Sequence, residues 1–127
     1  VDLNGVQVGS ASTGLIEDSE CVAAAAGSYL IFARSDEPTE NGGLPAVFRT
    51  FSLSLGNTAG SGLSLSLGGN TLDAVTWGTA AAGVSTQVKP ANRSVTGNDD
   101  PANFCAPSAT YGAGDRGTPG AANVCAP

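Results

Sequence analysis

Three cysteines, eleven carboxylates, five basic side chains and no histidine are the inventory from which this chain could build chemistry. Without histidine, neither a Ser-His-Asp nor a Cys-His arrangement can form. The one lysine, Lys89, stands beside Pro90 with no apolar run around it to make it a nucleophile. Two carboxylates could in principle serve a glycosidase, but that mechanism needs a deep cleft, and a small domain with polar faces leaves little room for one. The residue types therefore argue against an enzyme. Zinc is disfavoured as well, because no C-x-x-C pair and no histidine are present to complete four ligands. Calcium suits the residues better. Glu17-Asp18-Ser19-Glu20, Asp36-Glu37 with Glu40-Asn41, and Asn98-Asp99-Asp100 are acidic clusters, and hard Ca²⁺ selects carboxylate and amide oxygens. Asn98, Asp99 and Asp100 are the expected calcium ligands. A solvated acidic loop is the plainer reading of the same residues, since no EF-hand spacing accompanies them.

Cys21, Cys105 and Cys125 allow three different single bridges, each leaving one thiol over. Cys105 with Cys125 is the expected pair, because both flank the Gly-rich residues 111–123. Their link would close a ring of about 21 residues, worth about 3 kcal/mol by chain entropy. Such a staple belongs to an oxidising compartment. Cys21 is then buried, paired with a cysteine outside these residues, or joined to a second chain.

The elements that must position these groups read as β-strands. Phe51-Ser52-Leu53-Ser54-Leu55 and Leu63-Ser64-Leu65-Ser66-Leu67 alternate apolar and small polar residues with period two, so each is expected to be a half-buried antiparallel strand. Gly68-Gly69-Asn70 supplies a tight hairpin turn, and residues 71–77 run back with β-favouring side chains. Residues 29–33 are almost continuously apolar and suggest a central strand covered on both faces, while residues 84–88 alternate again and stop at Pro90. Cys21-Val22-Ala23-Ala24-Ala25-Ala26 favours helix by composition, but Gly27 follows at once, and a loop or single turn is expected. Several short strands with turn signals between them point to a β-sandwich.

Four phrases carry a resemblance across nearly the whole chain: Asp2-Leu3-Asn4-Gly5, Gly27-Ser28-Tyr29-Leu30-Ile31-Phe32-Ala33-Arg34, Leu72-Asp73-Ala74-Val75-Thr76-Trp77-Gly78, and Gly117-Thr118-Pro119-Gly120 with Asn123. In this order they resemble the D-L-x-G, G-x-Y-L-v-f-A-R, L-D-x-V-t-w-G and G-x-P-G-x-x-N segments of the bacterial, myxobacterial-type lamin-tail domain family. The resemblance implies an all-β, immunoglobulin-like antiparallel sandwich. It also implies a W-x-E-l-x-N strand ahead of the D-L-x-G segment. That strand is missing here, so the sheet is expected to have lost its first strand through trimming, or to take an equivalent strand from a neighbour. Asp73 matches the family's strand aspartate and is expected to hydrogen-bond a neighbouring turn.

At 127 residues the chain is one domain's worth, and we read residues 1–127 as a single sandwich in which 90–127 form a long loop and a stapled C-terminal segment. With 18 glycines, 7 prolines and 13% charged residues, the composition is that of a turn-rich β protein with a Ser, Thr, Asn and Gly surface. A net charge of −6 disfavours nucleic acid, and no run of about 18 apolar residues suggests a membrane span. Most aromatics fall in expected strands. Tyr111, with Phe104 nearby in sequence, is the candidate binding surface for a polysaccharide. The expected role is a non-enzymatic, secreted or cell-surface structural, assembly or adhesion module, self-assembling through an open sheet edge. The alternatives are a calcium-dependent binder of polysaccharide or a surface protein, and an anchoring domain of a larger secreted protein.

Overall fold

The computed structural model describes residues 1–10 and 13–127. Among them ten short strands follow in chain order: β1 (Val6–Gly9), β2 (Thr13–Leu15), β3 (Phe32–Ala33), β4 (Arg49–Thr50), β5 (Gly62–Leu67), β6 (Asn70–Thr76), β7 (Gln87–Val88), β8 (Phe104–Cys105), β9 (Thr110–Tyr111) and β10 (Asp115–Arg116). Two 3-10 turns, Pro90–Asn92 and Pro101–Asn103, are the only helical segments among the described residues. Among the described residues no helix is long and apolar enough to cross a membrane.

The longest alternating sequence makes the centre of the fold. β5 and β6 form a hairpin turned by Gly68 and Gly69, whose φ values of 55° and 81° are those a tight two-residue turn requires and side-chain-bearing residues resist. β1 pairs antiparallel with β5 and β2 with β1, giving the sheet order β2-β1-β5-β6. The register sets Val6 opposite Leu67, Val8 opposite Leu65, and Leu63 opposite Val75, so one face is apolar while Ser64 and Ser66 lie on the other. Ile16 and Val22 seal this face with Val6 and Val8, and Leu3, Phe32, Phe48, Phe51 and Leu53 pack against them. Ile16 is 1% exposed, a burial worth about 1.5–3 kcal/mol.

The entry to β1 is fixed by polar side chains. The Asp2 carboxylate accepts the Asn4 and Val22 N–H groups, each at 3.0 Å, and the Asn4 amide bonds Glu20 O and the Asp18 N–H. These bonds tie the 17–22 loop over the core, and the first of them chiefly holds the Asp2 carboxyl below its ordinary value of 3.8. Asp18 also meets Arg49 at 3.2 Å, a half-exposed pair worth little on its own.

Several sequence expectations are revised. Residues 51–55 form no strand: Phe51 and Leu53 are half-buried and Ser52 and Ser54 exposed, so the alternation reports burial without a ladder. Residues 29–33 are not a central strand covered on both faces. Only β3 is strand, paired in parallel with β4, and Tyr29 is 43% exposed. In 84–88 only β7 is strand, paired with β8. Residues 21–26, by contrast, lie in a loop as expected, with Ala23 bridging Asp2. The chain is nearly all-β, in keeping with a β-sandwich, but among the described residues the sheets outside the four-stranded one are two-stranded, and an immunoglobulin-like strand order is not laid out as two continuous sheets.

Candidate functional site

Where the core face is not fully covered, an open groove of about 860 Å³ remains. Its floor is Val8, Leu63, Phe51 and Leu53 of the sheet side, one wall is the segment 29–35, and the other is 118–123. Phe32 anchors the first wall, stacked on Phe51 with centroids 5.5 Å apart and edge-on to Phe48 at 5.8 Å. Backbone bonds from Phe48 N to Ile31 O and from Phe51 N to Ala33 O, both 2.8 Å, hold that wall to the chain leading into 51–55. Leu55, 55% exposed, stands at the rim with Tyr29.

The second wall is held from behind. Asn123 Nδ2 donates to Val88 O at 2.8 Å, and the Thr118 hydroxyl lies 3.3 Å from Gln87 Oε1 and 3.4 Å from Asn123 Oδ1. Gln87 is 7% exposed, so this polar contact is out of bulk water and its partners are needed. Cys105 and Cys125 are joined in a disulfide, with Cα atoms 5.6 Å apart, and bonds from Ser108 N to Val124 O and Ala126 N to Ala106 O continue the clasp. Thr118 and Asn123 of the closing motif thus position a groove wall.

Several of the groove's polar groups are engaged within the chain, while Arg34 also lines it. Ser35 Oγ donates to Glu40, Asn41 Nδ2 donates to Ser35 O, and the Tyr29 hydroxyl accepts from Arg93. The largely apolar floor suits aliphatic and aromatic side chains, with Arg34 on the lining beside it.

The other expected site residues lie elsewhere. Asn98 is buried and its Nδ2 donates to Asp73 Oδ2 at 2.9 Å, while its Oδ1 has no hydrogen-bond partner. Asp100 accepts the Ala102 N–H at 2.9 Å and so caps the second 3-10 turn, and Asp99 is exposed. Among the described residues no three acidic, cysteine or histidine side chains converge where they could hold a metal. Phe104 is half-buried in β8 opposite Val88. Tyr111 is half-buried in β9 opposite Asp115; burial first, and the Asp115 charge second, push its phenol above its ordinary value of 10.0. Neither lines the groove. Cys21 is a free, exposed thiol. The groove itself was masked in the sequence, because its lining residues carry the same apolar patterns as core strands. Compared with known proteins, the chain matches no family model, no curated protein and no solved structure.

Proposed function

We propose that this chain is a non-enzymatic, extracellular structural or adhesion module that assembles by seating an extended apolar strand of a neighbouring copy in the groove. The observation that carries the reading is the groove itself: Phe51, Leu53 and Leu63 face a space of about 860 Å³ whose walls are held by a disulfide and an aromatic cluster. An alternating apolar strand fits such a site by β-augmentation or side-chain insertion. The Ser64 and Ser66 face of the sheet would let subunits pack closely. The disulfide suits an oxidising compartment, and the absence of histidine leaves no activated nucleophile, which together favour an extracellular, non-catalytic role. In this reading the chain is a lamin-tail-like, immunoglobulin-type sandwich.

Sedimentation velocity of the non-reduced chain over a range of concentrations tests the proposal. Concentration-dependent polymers that disappear in Leu55→Arg support it, and a monomer at every concentration rejects it. A second reading, a calcium-ordered ligand module, draws on Asn98, whose buried Oδ1 would welcome a cation. Melting that rises with added calcium and falls with EDTA would favour that reading over the first.

A further inference from the structure

We infer that β6 is a sheet edge guarded against pairing with a second copy of this chain, and that the guard is the Asp73 carboxylate held in place by Asn98. The inference concerns a different part of the molecule from the groove and stands apart from it.

β6 ends the four-stranded sheet, and among the described residues no strand lies on its other side. It is the longest strand, seven residues with no proline, and Thr71, Leu72, Val75 and Thr76 favour extended backbone. An edge of this kind is a template for another chain unless something blunts it. Long-range repulsion gives little protection here. The whole net charge of −6 falls within residues 1–47, and the charges of the remainder balance. From residue 50 to residue 88 the only charged side chain is Asp73.

That one charge stands in the middle of β6. The register pairs Val8 with Leu65 and Leu65 with Asp73, so Asp73 points to the core face at the margin of the sheet instead of outward with Ala74 and Thr76. Its carboxylate is fixed at both oxygens: Oδ1 accepts the N–H of Ala74 at 2.9 Å, and Oδ2 accepts Nδ2 of Asn98 at 2.9 Å. Two consequences follow. The Ala74 N–H is taken up locally and is not offered to an incoming strand. A second β6 laid antiparallel and centred on this position would bring the two Asp73 side chains within about 5 Å of each other, where like charges oppose pairing. Registers shifted by a residue or two would instead bury each charge against Leu72 or Val75 of the other copy, which removes its water without supplying a partner. The bulge between Leu65 and Ser66, next to the Asp73 position, adds twist that further spoils a flat edge.

Asn98 makes the guard rigid. It is nine-tenths buried on the loop beside β6, and its Oδ1 has no partner. Its one side-chain bond is the one to Asp73, so the amide's structural role is spent on orienting that carboxylate.

The test is the dimerisation of Asp73→Val and Asp73→Asn measured by sedimentation velocity on a Leu55→Arg background, which removes groove-mediated assembly. Circular dichroism confirms that each variant is folded. Both substitutions are expected to tighten dimerisation about ten- to a hundredfold relative to Leu55→Arg alone, with new amide-exchange protection on β6. Asn98→Ala, which frees the carboxylate but keeps its charge, is expected to change dimerisation by less than either. Folded Asp73 variants that dimerise no more tightly than Leu55→Arg, or a gain seen with valine but not asparagine, would overturn the inference. A groove failure is read separately, from the wild-type chain against Leu55→Arg.

Discussion

Replacing Cys105 and Cys125 together by serine removes the covalent clasp behind one groove wall, and the structure sets the size of the effect. The two cysteines are 20 residues apart, and the chain-entropy relation for a ring of that size gives about 11 cal/mol/K, or about 3 kcal/mol at room temperature. The native side of the balance changes little, because Ser108 N to Val124 O, Ala126 N to Ala106 O and Asn123 Nδ2 to Val88 O keep the C-terminal segment in place without the sulfur link. The loss therefore comes chiefly from the freer unfolded chain. With an unfolding entropy of about 2.1 cal/mol/K per residue over this length, 3 kcal/mol corresponds to a fall in Tm of about 11 °C. Thermal melts followed by circular dichroism, with and without reductant, are the assay. The wild-type chain in reductant should match the double variant, and the double variant should ignore reductant. Cys21→Ser, at an exposed free thiol, should melt with the wild type in both conditions. A fall of less than about 4 °C would refute the reasoning, since the hydrogen bonds around the clasp would then be enough to restrict the unfolded chain as well.

Three further outcomes follow from single contacts. A Cβ at Gly14 would run into the Phe51 ring, so Gly14→Ala should destabilise by about 1–3 kcal/mol in denaturant titration, whereas the same change at open Gly78 should not. Asn123→Ala removes the bond to Val88 O in a half-buried site and should cost about 1–3 kcal/mol by the same measurement, with the unchanged disulfide showing that the loss is not covalent. Asp2 is held below 3.8, chiefly by the Asn4 N–H, so its contribution is present above that pH and is lost as pH falls through its folded value; the difference in Tm between wild type and Asp2→Asn should therefore shrink as pH is lowered below 3.8.

What the sequence disclosed and what it hid have the same physical origin. The β5–β6 hairpin was legible because period-two alternation and a Gly-Gly turn agree on one local geometry. The Cys105–Cys125 pair was legible because both cysteines flank the one loop rich enough in glycine to need closing, and the structure joins those two. Asp73 was read as a partner for a neighbouring turn, and Asn98 supplies that turn. Residues 51–55 misled because alternation records which side chains are shielded and says nothing of hydrogen bonding; Phe51 and Leu53 are shielded by packing on the core cluster, Phe51 against Phe32, instead of by a paired strand. Residues 29–33 misled for a related reason: an apolar run reads as a buried strand whether the second face meets protein or an open space. The acidic stretch 98–100 shows the limit of composition, since one residue caps a turn, one faces water and one bonds a strand, and only coordinates separate those roles.

The most direct test of the account is amide hydrogen exchange of the non-reduced chain compared between dilute and concentrated solution, read by mass spectrometry. The account predicts that protection gained at high concentration concentrates in residues 29–35 and 51–55, the wall and floor of the groove, while β6 exchanges as before. Protection gained on β6 instead, or no change anywhere across the range, would contradict it.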